Sequence, residues 1–222
     1  MTREETRRWI EDVGIVAIVR APSPEIAIRA VDALLAGGVS IFEITMTVPN
    51  ARAVIQSLAA RFKDAAVIGA GTVLSADEAR MSVDAGAQFI VSPGLDLETI
   101  EISLGLDVAV VPGALTPTEV ITANKAGADM VKIFPCSAVG GAKYLRALKG
   151  PLPDVKLLPT GGISVSNAHE FIAAGAAAIG IGSELVDVAA LTEHRDAELS
   201  ARARELVNVV AAARSKRAGR TG

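Results

Sequence analysis

One repeated phrase limits what this chain can fold into: a short run of β-branched residues, a helical stretch, then a glycine that hands the chain to the next run. Helical stretches end in Ala36-Gly37-Gly38-Val39, Ala85-Gly86-Ala87, Ala126-Gly127-Ala128 and Ala174-Gly175-Ala176. Glycine accepts the left-handed backbone of a helix terminus, so each of these endings feeds a strand directly. Strands are predicted at residues 14–20, 39–45, 66–70, 89–92, 108–111, 130–134, 155–158 and 178–181. Helices are predicted at 24–36, 50–60, 75–85, 97–104, 117–126, 143–149, 165–174 and about 191–213. Pro24 after Ser23, and Ser75 with Glu78 three residues on, are helix-starting signals. Repeats at roughly 20- to 30-residue spacing imply a parallel sheet, and eight of them imply a closed (β/α)8 TIM barrel.

The prediction is one domain over residues 1–222, with an extra N-terminal helix over about 1–13 and a flexible basic tail from about 214. A doubly wound open sheet is the competing fold. It would want a glycine-rich dinucleotide turn after the first strand, and Arg20-Ala-Pro-Ser-Pro24 carries none. Hydrophobic residues make up 50% of the chain but aromatics only 3%, so the core is aliphatic and suits helices packed on parallel strands.

A formal net charge of −3 argues against a general nucleic-acid binder. No apolar run reaches the roughly 18 residues of a membrane span, so no membrane partner is expected. Cys136 is the only cysteine, which excludes an internal disulfide and a cysteine metal cluster, and a cytoplasmic setting is expected. Cys136 reads as a small core filler or a reactive thiol. His169 and His194 stand apart from any carboxylate cluster with ligand spacing, so no metal site and no histidine triad is expected.

In a barrel the active site lies at the C-terminal strand ends. The polar residues there are Arg20, Glu43, Thr45, Thr47, Thr72, Ser92, Thr116, Lys132, Thr160 and Ser183, with Pro93 beside them. Lys132 is conspicuous because alternation sets it with Met130 and Phe134, opposite Val131 and Ile133, so its surroundings are apolar on both faces. A desolvated lysine gives up its proton readily, and the neutral amine attacks carbonyls. In Ile41-Phe-Glu-Ile-Thr45 the large Phe42 and Ile44 face the helices, which turns Glu43 inward toward the same mouth. A carboxylate there can shuttle protons beside an imine-forming amine, or form a structural ion pair with Lys132 or Arg20. Thr160-Gly161-Gly162 and Gly180-Ile-Gly182-Ser183 follow strands 7 and 8, the recurrent phosphate position of the fold. Apart from a lysine-dependent lyase, a phosphate-binding epimerase or synthase and a non-catalytic sugar-phosphate binder would also use those turns.

Phe42-Glu43-Ile-Thr45, Gly69-Ala-Gly-Thr72, Val91-Ser-Pro93, Val111-Pro-Gly113, Lys132-Ile-Phe134-Pro135, Gly140-Gly141 and Pro159-Thr-Gly-Gly162 occur in order along the chain. The set resembles the 2-dehydro-3-deoxy-6-phosphogluconate (KDPG) aldolases, class I Schiff-base aldolases of the Entner–Doudoroff pathway. The resemblance implies a barrel, a homotrimer, no cofactor, and cleavage of KDPG to pyruvate and glyceraldehyde 3-phosphate. It further implies that Lys132 forms the imine and Glu43 acts as acid and base through water. Thr72, Pro93, Phe134 and Thr160 would shape the pyruvate pocket, while Gly161, Gly162 and Ser183 hold phosphate. Some members carry an arginine four residues after the glutamate, where this chain has Thr47, and Arg20 is expected to supply the positive charge instead. The related 6-phosphogalactonate aldolases share these features, so the alternative substrate differs at C4, and a side activity on 4-hydroxy-2-oxoglutarate is expected.

Overall fold

β-branched runs between glycine-ended helices become parallel strands in the computed structural model, which describes residues 1–219. They are β1 (Ile15–Val19), β2 (Ile41–Thr45), β3 (Val67–Gly71), β4 (Phe89–Val91), β5 (Ala109–Val111), β6 (Gly113–Ala114), β7 (Val131–Ile133), β8 (Leu157–Pro159) and β9 (Ile179–Ile181). Six of them pair in the order β5-β4-β3-β2-β1-β9 and three in the order β6-β7-β8. There are thus nine strands among the described residues where eight were predicted. The extra one arises at Pro112, which has no N–H for the ladder, so the chain leaves the larger sheet after β5 and joins the smaller one as β6. The Pro112 carbonyl still accepts from Lys132 N–H at 2.9 Å, which ties β7 to this crossing point.

Helices alternate with the strands: α1 (Arg3–Val13), α2 (Pro24–Ala36), α3 (Ala51–Arg61), α4 (Ala76–Asp84), α5 (Leu97–Gly105), α6 (Pro117–Lys125), α7 (Ala142–Lys149), α8 (Ala168–Ala173), α9 (Val188–Thr192) and α10 (Asp196–Ala218). Ser23, Ser75, Asp96 and Thr116 each accept a backbone N–H of the first turn at the heads of α2, α4, α5 and α6, as such side chains do at helix starts. The single last helix predicted from 191 to 213 is two helices, because the chain turns through His194 at a φ of 58°.

Strand alternation divides the core in two. Phe42, Ile44, Ile68, Val131 and Ile133 face the helices in the larger cluster. Val16, Ile41, Val67, Phe89, Ala109, Met130, Leu158 and Ala178 face one another inside the curl of strands. Ile10 of α1 joins this inner cluster, with Trp9 and Val13 packed beside it. Because Ile41, Val67, Phe89 and Ala109 are the first residues of their strands, α1 covers the N-terminal ends. Arg3 fastens that cover, reaching Asp129 at 2.9 Å, and Asp129 also accepts from Val110 N–H at 2.9 Å. Glu11 pairs with Arg7 and Lys156 on the same side.

The basic tail expected from 214 is helical as far as Ala218. Arg214 donates to the carbonyls of Asp12 at 2.6 Å and Ala177 at 2.7 Å, and also to that of Glu11; Arg217 reaches Ala176 at 3.0 Å. These long-range bonds hold the last turns down. Residues 220–222 of the expected tail lie outside the described residues.

Candidate active site

At the C-terminal strand ends, β2 and β7 deliver the two polar side chains that alternation turns inward. Glu43 is 1% exposed and Lys132 5% exposed. Their Nζ and Oε1 atoms lie 3.5 Å apart, an ion pair longer than the roughly 2.8 Å of a charge-assisted hydrogen bond. Neither Glu43 oxygen has a hydrogen-bond partner among the described residues, and nor does Thr160 Oγ1. Buried polar atoms are ordinarily satisfied, so three unsatisfied ones in one place are polar groups kept available for a ligand.

Two glycines make room for this pair. A Cβ on Gly71 would stand 2.0 Å from Glu43 Oε1, and a Cβ on Gly180 would stand 2.2 Å from Thr160 Oγ1. Neither position needs a left-handed backbone; each needs empty space. Gly71→Ala is therefore expected to push the Glu43 carboxylate off its position and lower kcat roughly a hundredfold, the scale of misplacing a reacting group by about 1 Å. Steady-state rates check this, and an alanine variant as fast as the parent would show that the carboxylate tolerates displacement.

The pair opens into a cavity of about 220 Å³. Its wall includes all ten predicted site residues: Arg20, Glu43, Thr72, Pro93, Lys132, Phe134, Thr160, Gly161, Gly162 and Ser183. Thr72 follows β3 with φ at 59°, a left-handed conformation that is costly for a β-branched residue and that gathers at functional sites. The Phe134 ring centroid is 5.5 Å from Lys132 Nζ, close enough for a cation–π contact, and Phe134 is itself 39% exposed at the mouth. Pro93 is set by a close backbone approach, since a Cβ on Gly113 would meet the Pro93 carbonyl oxygen at 2.1 Å. Gly161 and Gly162 have φ of 95° and 72°, which glycine alone adopts freely, and the Gly162 carbonyl is fixed by Asn167 Nδ2 at 2.9 Å. Arg20 is exposed at the end of β1 and has no ion-pair partner among the described residues.

Four other strand-end candidates do not line this cavity. Thr45 Oγ1 donates to Val19 O at 3.3 Å and meets Thr47 Oγ1 at 2.8 Å, so both hydroxyls serve local structure. Ser92 Oγ donates to Gly94 O at 2.7 Å, and Thr116 caps α6. Ile18, Ile163 and Glu184 also line the wall and were missed. Ile18 was findable, because it shares the inward period of Val16 and Arg20. Cys136 is fully buried, and that burial pushes its thiol up to about 11, which makes it a core filler. Among the described residues no group of three His, Cys, Asp or Glu side chains could hold a metal ion, and no helix is long and apolar enough to cross a membrane.

A buried amine beside a buried carboxylate at the C-terminal ends of parallel strands suits a lysine-dependent lyase, and the relatives of this chain are aldolases. The family model "KDPG and KHG aldolase" matches residues 7–201. Over 179 residues, 80% of this chain and 87% of the relative, the sequence is 37% identical to the 2-dehydro-3-deoxy-6-phosphogalactonate aldolase of Escherichia coli K12. It is 34% identical to the KHG/KDPG aldolase of the same organism, over 87% of this chain and 90% of that one. A solved KDPG aldolase from Legionella pneumophila, holding pyruvate captured as a covalent carbinolamine intermediate, superposes with a TM-score of 0.81 at 30% identity. That match covers 87% of this chain and 93% of the other. The chain belongs to the KDPG and KHG aldolase family.

Proposed function

We propose that this protein is a class I aldolase that cleaves KDPG to pyruvate and glyceraldehyde 3-phosphate through a Schiff base on Lys132. The observation that carries the proposal is the buried Lys132–Glu43 pair, 3.5 Å apart, with neither carboxylate oxygen hydrogen-bonded among the described residues. Lys132 passes its ammonium proton to Glu43 and its free amine adds to the C2 ketone; the proton returned by Glu43 lets the carbinolamine hydroxyl leave as water, which leaves a protonated imine. Glu43, directly or through a water, takes the proton of the C4 hydroxyl. The C3–C4 bond then breaks, its electron pair flows into the imine to give an enamine, and the aldehyde leaves. Protonation at C3 restores the imine, and hydrolysis frees pyruvate and the amine. The Thr72 and Thr160 hydroxyls serve the pyruvate carboxylate, Pro93 and Phe134 wall the three-carbon end, and Gly161, Gly162, Ser183 and Arg20 take the phosphate. A cavity of about 220 Å³ is small beside ordinary ligand sites and suits a short acid.

The 37% identical relative acts, by its name, on the galactonate epimer, so the C4 configuration is the point to measure. In an assay coupling pyruvate release to NADH oxidation, the gluconate substrate is expected to turn over faster than the galactonate one. The reverse order would replace the substrate, and no pyruvate from either would end the proposal.

We also infer that the two sheets are arcs of one closed (β/α)8 barrel and that three chains assemble. Closure is supported by the Thr160–Gly180 bridge, by Ala177 N–H donating to Leu157 O at 2.9 Å, and by the inner core that both sheets share. Assembly is supported by exposed apolar side chains at Leu74, Met81, Leu97 and Ile121, on α4, α5, α6 and the segment leading into α4. A crystal structure tests both, and an open gap between β8 and β9 or a monomeric lattice with these residues bare would contradict them.

A further inference from the structure

Glu184 carries a carboxylate that the proposed chemistry does not use. It follows Ser183 after β9 and lines the same cavity as Arg20, Gly161 and Gly162, at the end proposed above for phosphate. Its backbone is fixed from behind: Arg202 of α10 donates from Nη1 to the Glu184 carbonyl at 3.1 Å, and Arg202 Nη2 lies 3.7 Å from Asp187 Oδ2. Asp187 in turn caps α9, accepting from Ala190 N–H at 3.0 Å. The Glu184 side chain is exposed and has no hydrogen bond or ion pair among the described residues.

The cavity wall therefore sets two cations, Arg20 and Lys132, against two carboxylates, Glu43 and Glu184. Lys132 and Glu43 form the inner pair, which leaves Arg20 and Glu184 for the outer end. A phosphate monoester brings about −1.5 to −2 charges at pH 7, and its second charge meets a carboxylate where a second cation would have held it. Repulsion between like charges opposes binding and weakens with salt. A terminal hydroxyl, by contrast, can donate a hydrogen bond to the same carboxylate.

We propose that Glu184 is a specificity-determining residue that weakens the hold on a dianionic phosphate terminus and so narrows the preference for phosphorylated over unphosphorylated 2-keto-3-deoxy sugar acids. The inference rests on the aldolase reading above. Glu184→Gln keeps the size and removes the charge, while Glu184→Asp keeps the charge. The ratio of kcat/KM for the phosphorylated acid to that for its dephosphorylated counterpart is expected to rise roughly three- to tenfold in Glu184→Gln, the scale of one added repulsion near a surface. The gain appears in KM rather than kcat and shrinks in high salt, and Glu184→Asp stays near the parent ratio. Inorganic phosphate should inhibit Glu184→Gln more strongly than the parent. A ratio that is unmoved or lowered in Glu184→Gln, or moved equally in Glu184→Asp, overturns the proposal. Parent protein that cleaves both acids with an unmoved ratio refutes Glu184 alone; parent protein that cleaves neither refutes the aldolase reading and this inference together.

Discussion

Lys132→Arg is expected to abolish turnover, lowering kcat by roughly three orders of magnitude or more, as loss of a catalytic nucleophile does. Arginine keeps a cation beside Glu43, and the cavity that Lys132 lines takes its extra atoms, so the buried pair survives and the fold with it. Its guanidinium is always protonated and cannot add to a ketone. Lys132→Ala should lose the same activity but also stability. It leaves the Glu43 carboxylate buried at 1% exposure without its counter-ion, a change that costs about 3–5 kcal/mol in comparable buried pairs. Urea unfolding of the two variants separates the contributions: arginine close to the parent, alanine well below it, both inactive. An arginine variant with substantial turnover would remove Lys132 from the chemistry.

Glu43→Gln is expected to lower kcat by roughly a hundred- to ten-thousandfold, the range for removing a general acid–base group. The amide preserves shape and can accept a hydrogen bond from Lys132, so the amine stays in place. Proton removal from the C4 hydroxyl is what it cannot do. Trapping of pyruvate on the protein should therefore persist in part while cleavage collapses. Unchanged cleavage would take Glu43 out of the scheme, and loss of trapping together with cleavage would give it a role in forming the imine itself.

Much of this site was legible in the sequence because strand alternation is a local property. Ile41-Phe-Glu-Ile-Thr45 and Met130-Val-Lys-Ile-Phe134 each contain one charge in a run whose other faces are accounted for, so Glu43 and Lys132 had nowhere to point but inward. The glycine-ended helices likewise announced parallel strands. What escaped was set by contacts between residues distant in sequence. Gly180 reads as a turn glycine and Gly71 only as part of the Gly69-Ala-Gly-Thr72 motif, yet both matter because Thr160 and Glu43 occupy the space a Cβ would fill. Pro112 marks where the chain changes sheets, which depends on the partner of β6 rather than on Pro112 itself. The C-terminal arginines looked like a solvated tail, but Arg214 finds the carbonyl of Asp12 across 202 residues of sequence. Thr47 stands where some members carry an arginine, and its hydroxyl turns to Thr45 while Arg20 stands exposed at the mouth with no ion-pair partner among the described residues.

The central claim is that Lys132 forms the covalent intermediate, and borohydride reduction in the presence of pyruvate tests it most directly. Peptide mapping by mass spectrometry is expected to find one stable reduced pyruvyl adduct, on the peptide containing Lys132, in the parent and none in Lys132→Arg. A protein left unmodified, or modified at another lysine, would contradict the mechanism.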